Sequence, residues 1–179
     1  GSVKVNLGTT YGVESVNKFP QFQENYGQGF NGLYDLGSVY PSWGAPIEAA
    51  NVFDPGYRYY DNYRNAMETG TFSDTYLNVS GGTDIVSLYA SINNTSQKGV
   101  IPFSDWKRTS LRFNGTAKFN EKFNMGASIN YSVSGGNRVP HDRFGENLFY
   151  QPHTMDVTNY IKPDGTQITN YLSDNPIYA

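Results

Sequence analysis

The sequence contains no cysteine among its 179 residues, which excludes disulfide bonds and thiolate metal sites. It also has no apolar run near the ~20 residues that a membrane-spanning helix needs. Charged residues make up only 16%, against ~25% in average soluble proteins, and the basic residues are scattered, so nucleic-acid binding is not expected. Glycine, tyrosine and phenylalanine are abundant instead, with 19, 15 and 11 copies. This composition favours an all-β protein with a wide polar surface.

The clearest pattern is a predicted hairpin from Lys107 to Ser134. Apolar or small residues alternate with polar ones on both sides of Asn120-Glu121-Lys122, and a period of two predicts β-strands with one apolar and one polar face. Each run covers about a dozen residues, whereas soluble strands usually have ~5–6 and membrane-spanning strands need ~9–11. The hairpin therefore has the dimensions of membrane-spanning strands.

Similar patterns elsewhere predict about five long antiparallel strands in all. We place them at about residues 3–13, 75–82, 84–95, 107–119 and 123–134, separated by long loops at 14–74, 96–106 and 135–179. Within the loops we expect one short helix between Tyr57 and Thr69, and a small hairpin pairing Tyr160-Ile161 with residues 167–171. Short turns at one sheet end and long loops at the other are typical of outer-membrane barrels, whose long loops are extracellular.

The alternation assigns side chains to the two faces of such a barrel wall. We predict a lipid-facing stripe comprising Val86, Leu88, Ile92, Leu111, Phe113, Phe119, Phe123, Met125, Ile129 and Val133. The lumen-facing set comprises Ser87, Ser91, Arg112, Asn114, Lys118, Asn124 and Asn130. Five strands cannot close a barrel, because bacterial single-chain barrels have at least ~8 strands and an open edge in lipid is costly. We therefore expect the chain to be one segment of a larger barrel.

Six short stretches occur in a characteristic order along the chain. They are Gln23–Gly29 (QENYGQG), Ser42–Pro46 (SWGAP), Tyr60–Tyr63 (YDNY) with Thr69–Thr71, Asn78–Gly82 (NVSGG), Gln97–Pro102 (QKGVIP) with Lys107–Ser110 (KRTS), and Asn175–Pro176. In this set the chain resembles the SusC/RagA family of TonB-dependent outer-membrane transporters of Bacteroidetes. One departure is Asn78, where the family often has serine.

The resemblance implies an early segment of a barrel of about 22 strands that is filled by an N-terminal plug. It implies import of oligosaccharides, peptides or similar large nutrients across the outer membrane of a Gram-negative bacterium. The implied partners are a SusD-like surface lipoprotein that acts as a lid, the rest of the barrel and the plug, outer-membrane lipid, and TonB. No part of this sequence matches the plug or the TonB-contacting segment.

Candidate contact residues lie in the long loops, where aromatic rings could stack on a sugar or a peptide side chain or could pack the loops together. They are Trp43, Tyr57, Tyr59, Tyr60, Phe149 and Tyr150. We expect no metal or cofactor, because His141 and His153, with Asp142, Glu146 and Asp156 nearby, lack the spacing of a known metal motif.

Two alternative functions belong to other classes. A soluble β-sandwich carbohydrate-binding module would use the apolar stripes as its core and the loop aromatics as its sugar site. A glycan-active enzyme would need a pair of carboxylates ~5–9.5 Å apart. Asp54, Asp61 and Glu68 are the candidates for such a pair, but no nucleophile signature accompanies them, so catalysis is not expected.

Overall fold

The computed structural model describes residues 2–35, 42–52, 54–169 and 174–178. The chain divides into two compact units. The first, which we call the sheet unit, contains the described parts of residues 1–15 and 69–138. The second, the loop unit, contains those of residues 16–68 and 139–179. Two of the three loops that the sequence predicts as long, at 14–74 and 135–179, therefore belong largely to one compact unit.

The sheet unit is a single antiparallel sheet of five long strands. They are β1 (Lys4–Glu14), β4 (Gly70–Gly82), β5 (Val86–Lys98), β6 (Asp105–Asn120) and β7 (Phe123–Gly135), and they lie in the order β1-β4-β5-β6-β7. The predicted all-β, antiparallel architecture is confirmed, and each strand reaches 11–16 residues. The sheet is open, with β1 and β7 at its edges.

The pairing register sorts the side chains into two chemically different faces. One row across the sheet reads Leu7, Leu77, Ile92, Leu111 and Tyr131, and every member is apolar or aromatic. The neighbouring row on the opposite face reads Asn6, Asn78, Ser91, Arg112 and Asn130. The ten residues predicted as lipid-facing lie on the first face, and the seven predicted as lumen-facing lie on the second.

The apolar face is exposed. Leu7 is 73% exposed and Ile129 is 62% exposed, and within the sheet unit no second layer packs against them. Among the described residues the buried apolar side chains are Ala50, Tyr57, Ala66, Phe144, Leu148 and Val157, all of which belong to the loop unit. The soluble alternative requires the apolar stripe to be the core of a sandwich. Among the described residues the stripe is exposed and does not form such a core.

Two connections differ from the sequence prediction. Strand β4 begins at Gly70, five residues before the predicted start at residue 75. The connection between β5 and β6 is only residues 99–104, not the predicted long loop at 96–106. It is closed by Gly99 N–H donating to the Ser104 carbonyl at 2.9 Å and by Phe103 in the left-handed region at φ 62°. The long connections at this end of the sheet are thus the one that follows β1 and the one that follows β7.

The loop unit contains more regular structure than the sequence predicts. Its described residues form a two-stranded hairpin of β2 (Gly29–Phe30) and β3 (Leu33–Tyr34) and three helices, α1 (Ile47–Asn51), α2 (Asn62–Asn65) and α3 (His141–Tyr150). The short helix predicted between residues 57 and 69 is present as α2, which covers only four of those residues, whereas α1 and α3 lie in predicted loops. No helix in the described part of the chain is long and apolar enough to cross a membrane.

The predicted hairpin near residue 165 is present in a reduced form. Ile161 forms a bridge with Gln167, and Gly165 adopts a left-handed conformation at φ 83° in the turn between them. The Lys162 N–H donates to the Thr166 carbonyl at 2.8 Å. The far end of the second predicted arm, residues 170 and 171, lies outside the described residues.

Gly82 should tolerate no side chain where the chain turns from β4 into β5. A Cβ atom there would overlap the carbonyl oxygen of Val86, whereas a Cβ atom on Gly126 in β7 would have its nearest neighbours at 3.7 Å. We expect Gly82→Ala to lower the free energy of unfolding by about 1–3 kcal/mol. The matched Gly126→Ala should leave it unchanged or raise it by up to ~1 kcal/mol. Equilibrium urea unfolding measures both, and equal losses would contradict the role given to Gly82.

Candidate functional site

The loop unit is held together by buried amide side chains. Asn62, the first residue of α2, is 0% exposed. Its Nδ2 donates to the carbonyl oxygens of Pro152 and Met155 at 3.1 and 2.8 Å, and its Oδ1 accepts from the Val157 N–H at 3.3 Å. One side chain thereby fixes α2 to the segment that follows α3, about 90 residues away.

A second amide continues this network. Asn175 Nδ2 donates to the Val157 carbonyl at 3.1 Å, and its Oδ1 accepts from the Ile177 N–H at 2.9 Å. Both Val157 and Asn175 are buried. Two of the stretches that prompted the family resemblance, YDNY and the Asn175–Pro176 pair, thus contribute the amides that organise the loop unit.

The QENYGQG and SWGAP stretches meet backbone against backbone. The Gly44 N–H donates to the Gly27 carbonyl at 3.0 Å, and the Gly27 N–H donates to the Ala45 carbonyl at 3.3 Å. A Cβ atom on Gly44 would overlap the Gln28 carbonyl, so a larger residue would force the two segments apart. These glycines are required for the close approach of the two segments.

Tyr57 does not offer a ring face to a ligand in this structure. It is 1% exposed, its hydroxyl donates to the Gln28 carbonyl at 2.9 Å, and its ring meets Tyr34 edge-on at 4.7 Å. Burial, together with the nearby Tyr34 hydroxyl, raises the pKa of Tyr57 to about 12. We therefore remove Tyr57 from the candidate contact residues and assign it to the core of the loop unit.

The other candidate aromatics differ in how accessible they are. Trp43 is 70% exposed, and Phe149 is 61% exposed and packs edge-on against Tyr150 at 5.4 Å. Tyr59 stacks on His153 at 5.4 Å, and the Arg58 guanidinium lies 4.9 Å from the centre of the Tyr60 ring. Trp43, Phe149 and Tyr150 are therefore the rings most available to a solute or to another protein.

His153 is a buried residue of the loop unit. Its ring lies 4.7 Å from Phe22, its Nδ1 has no hydrogen-bond partner, and its carbonyl accepts from the Tyr60 N–H at 2.7 Å. Burial lowers the pKa of His153, and a hydrogen bond to the Tyr60 backbone, together with the charges of Asp61 and Glu24, offsets this only in part. No group of three or more potential metal ligands occurs among the described residues, and Asp156 accepts from the Thr158 hydroxyl at 2.7 Å within its own turn.

Two of the three candidate catalytic carboxylates have structural roles. Asp54 accepts from the Tyr34 hydroxyl and the Gly56 N–H, both at 3.0 Å. Asp61 caps the N-terminus of α2 by accepting from the Arg64 N–H at 3.2 Å, and it also pairs with the Arg64 side chain at 3.1 Å. Local backbone and side-chain contacts therefore account for both carboxylates.

The polar face of the sheet carries a network of side-chain hydrogen bonds between neighbouring strands. Asp74 on β4 accepts from Thr95 Oγ1 at 2.6 Å and from Asn93 Nδ2 at 3.0 Å, both on β5. On β6, Arg108 Nε donates to Ser132 Oγ of β7 at 3.1 Å. Hydrogen bonds between polar side chains thus connect neighbouring strands on this face.

Comparison with known proteins adds no family assignment. No protein-family model matches the chain, and no curated protein matches it significantly. The resemblance to SusC-like transporters therefore rests on the six sequence stretches. Sequence reasoning missed the roles of Asn62, Asn175 and Gly44, although their occurrence in those stretches was the available signal.

Removing the Asn62 side chain should destabilise the loop unit strongly. Asn62→Ala would remove three hydrogen bonds and leave the buried Val157 N–H and the half-buried Met155 carbonyl without them, whereas the Pro152 carbonyl would keep the Met155 N–H at 3.1 Å. We therefore expect the free energy of unfolding to fall by roughly 2–4 kcal/mol. Asn65→Ala, in the same helix but exposed, should cost less than ~0.5 kcal/mol. Thermal or urea unfolding monitored by tyrosine fluorescence measures both, and a similar small effect of the two substitutions would refute the role of Asn62.

Acidification should weaken the loop unit through His153. Because burial lowers its pKa in the folded state below the reference value of 6.5, the unfolded chain binds the proton first. The contribution of neutral His153 to the free energy of unfolding is fully present above pH ~6.5. It is lost progressively as the pH falls towards the folded-state pKa. Unfolding free energies measured between pH 8 and pH 5, an interval that brackets ~6.5, should show this loss in the native protein and a flatter profile in His153→Gln. The exposed His141→Gln should keep the native profile, and a flat native profile would contradict the prediction.

Proposed function

We propose that the chain is a segment of the wall of an outer-membrane β-barrel transporter of the SusC-like, TonB-dependent type. The observation that supports this best is the pairing of an exposed, continuous apolar face with a hydrogen-bonded polar face on five long strands. A soluble protein rarely exposes an apolar patch of more than a few hundred Å², because water opposes it. In a bilayer the same face would contact hydrocarbon, so the free-energy penalty of exposing apolar surface to water would not arise.

The height of the apolar band agrees with a membrane position. From Leu111 to Phe119 the apolar face of β6 covers ~27 Å along the strand, which a tilt of ~40° projects to ~21 Å before the outermost side chains are included. Outer-membrane barrels have an apolar band ~25 Å tall that ends in aromatic girdles. Phe119 and Phe123, whose rings lie 5.4 Å apart beside the short turn, would belong to the girdle on the periplasmic side.

The two open edges fit a larger barrel. Backbone groups at the free edges of β1 and β7 would be unsatisfied in lipid, at a cost of several kcal/mol each, unless further strands pair with them. In the proposed transporter the remaining strands of a barrel of about 22 supply those partners. The polar face with Ser87, Ser91, Arg112, Asn114, Lys118, Asn124 and Asn130 would then line the lumen and meet the plug and water.

The loop unit would contribute to the extracellular mouth. The long connections that follow β1 and β7 both leave the sheet at the end opposite the short turns, which is the extracellular end in barrels of this type. Trp43, Tyr59, Tyr60, Phe149 and Tyr150 would be available there to an oligosaccharide, a peptide or a SusD-like lipoprotein lid. Uptake would then follow the family mechanism, in which TonB acts through the plug, and the chain itself would catalyse no reaction.

A pair of adjacent residues in β7 tests the membrane position of the sheet. Ile129 lies on the apolar face and Asn130 on the polar face, and the chain has no native cysteine to interfere with labelling. We expect a fluorophore on Ile129→Cys in the full transporter in liposomes to be quenched by nitroxide-labelled lipid. The same fluorophore on Asn130→Cys should instead be quenched by a water-soluble agent such as iodide.

The alternative, a soluble β-sandwich carbohydrate-binding module, predicts a different result. It would cover the apolar face with a second layer, so a label at Ile129→Cys would be shielded from both quenchers. Fractionation of native cells gives an independent measurement. Peptides from this sequence in a large outer-membrane protein support the transporter, whereas a monodisperse folded protein of 20.0 kDa in detergent-free buffer would refute it.

A further inference from the structure

The polar face of the sheet contains a concave pocket near the end with the short turns. Its volume is about 400 Å³. The side chains that define its chemistry are Lys4, Ser80, Ser87, Tyr89, Asn114 and Thr116. They come from β1, β4, β5 and β6. This volume lies within the ~300–1,000 Å³ that is typical of small-molecule sites.

The walls of this pocket are fixed by hydrogen bonds between strands. Ser87 and Thr116 hydroxyls lie 2.6 Å apart, and the Tyr89 hydroxyl donates to Asn78 Oδ1 at 3.3 Å. With the Asn114 amide oriented to satisfy both of its atoms, its oxygen accepts from Arg112 Nε at 3.1 Å. Arg112 is therefore held beside the pocket, on the β6 side.

The charged side chains on the polar face beside the pocket are cations, whereas Asp84 and Glu121 lie in the turns at this end of the sheet. Lys4 lies on β1, in the same row as Asn114 of β6, and Arg112 lies two residues before Asn114 on the same face. Three strand spacings across the sheet and two residues along a strand therefore separate the backbones of Lys4 and Arg112 by roughly 16 Å. Lys118 is a third cation on the same face of β6. The polar faces of β5, β6 and β7 carry no carboxylate, and none of these three cations makes a salt bridge within the described chain. The carboxylate on the polar face of β4, Asp74, is bonded to Asn93 and Thr95 instead.

We propose that this pocket is an anion subsite on the solute path, which binds the negatively charged groups of an acidic saccharide between Lys4 and Arg112. Two separated cations fit a solute with more than one negative charge, and the hydroxyl and amide groups between them fit the hydroxyl groups of sugar rings. This inference rests on the proposed transport function and narrows its solute class from large nutrients in general to acidic oligosaccharides.

The test uses the full transporter purified in detergent and two matched probes. They are the α-1,4-linked trimer of galacturonic acid and the corresponding neutral trimer of galactose. The two differ only in that each ring of the first carries a carboxylate where each ring of the second carries a hydroxymethyl group. Isothermal titration calorimetry at low salt should show the acidic trimer binding at least tenfold more tightly. Lys4→Gln and Arg112→Gln should each weaken its binding roughly three- to tenfold and leave the neutral trimer unaffected, because each removes one charge-assisted contact.

Lys107→Gln is the matched control. Lys107 belongs to the same strand as Arg112 but lies on the opposite face, in the row of Ser96, so its substitution should leave both affinities unchanged. Equal affinity for the two probes, or an equal loss in Lys107→Gln, would overturn the inference. The inference would also be overturned if Lys4→Gln and Arg112→Gln lowered the melting temperature but left the affinity for both probes unchanged. The two cations would then stabilise the transporter by pairing with an acidic surface of the protein itself. If the quenching test supports the membrane position but the two probes bind equally, only this inference is overturned and the proposed transport function stands.

Discussion

One continuous register of backbone hydrogen bonds runs through all five long strands, and the chemistry of the sheet depends on it. The pairings from β1 to β7 keep one register, with one irregularity between Lys118 and Asn120, and in the half of the sheet nearer the short turns they place apolar residues in one set of rows and polar residues in the other. A slip of one residue in any strand would move its apolar side chains onto the polar face. In the proposed barrel wall, such a slip would both expose polar groups to hydrocarbon and put apolar groups into water.

The loop unit is stabilised in a different way. Its buried apolar residues are few, and its centre contains amides such as Asn62 and Asn175 that bind backbone carbonyls and N–H groups directly. Irregular segments have no ladder to satisfy their backbone groups, so buried side-chain amides replace it. Glycines at positions 27 and 44 let two such segments approach to hydrogen-bonding distance. Long loops of this composition can thereby be ordered without a large hydrophobic core.

The sequence predicted the sheet well wherever alternation was strong. Leu111 to Val133 alternate so regularly that strand positions and faces followed directly. The start of β4 was missed because Thr71, Ser73 and Thr75 are polar on the face that is apolar further along, so the alternation disappears there. Helix α3 was missed because Gly145 interrupts a short amphipathic pattern formed by Phe144 and Leu148.

The loop contacts could not have been predicted in the same way. Asn62 and its partners at Pro152 and Met155 are about 90 residues apart, and no local pattern encodes such a pairing. The pocket beside Lys4 likewise requires the register of four strands to be known first. What the sequence did provide was the location of the short stretches, and several of these proved to hold the loop unit together.

The position of β1 has a consequence for the order in which the sheet forms. Strands β4 to β7 pair with their immediate neighbours in sequence, whereas Thr9 of β1 meets Thr75 of β4 across 66 residues. Local hairpins form in microseconds, and pairing across a long connection must first overcome a larger loop-closure entropy. The four-stranded meander is therefore expected to form first and to serve as the template on which β1 pairs last. The edge of β4 must stay unpaired until then, which leaves it, like the edge of β7, open to pairing with a wrong strand.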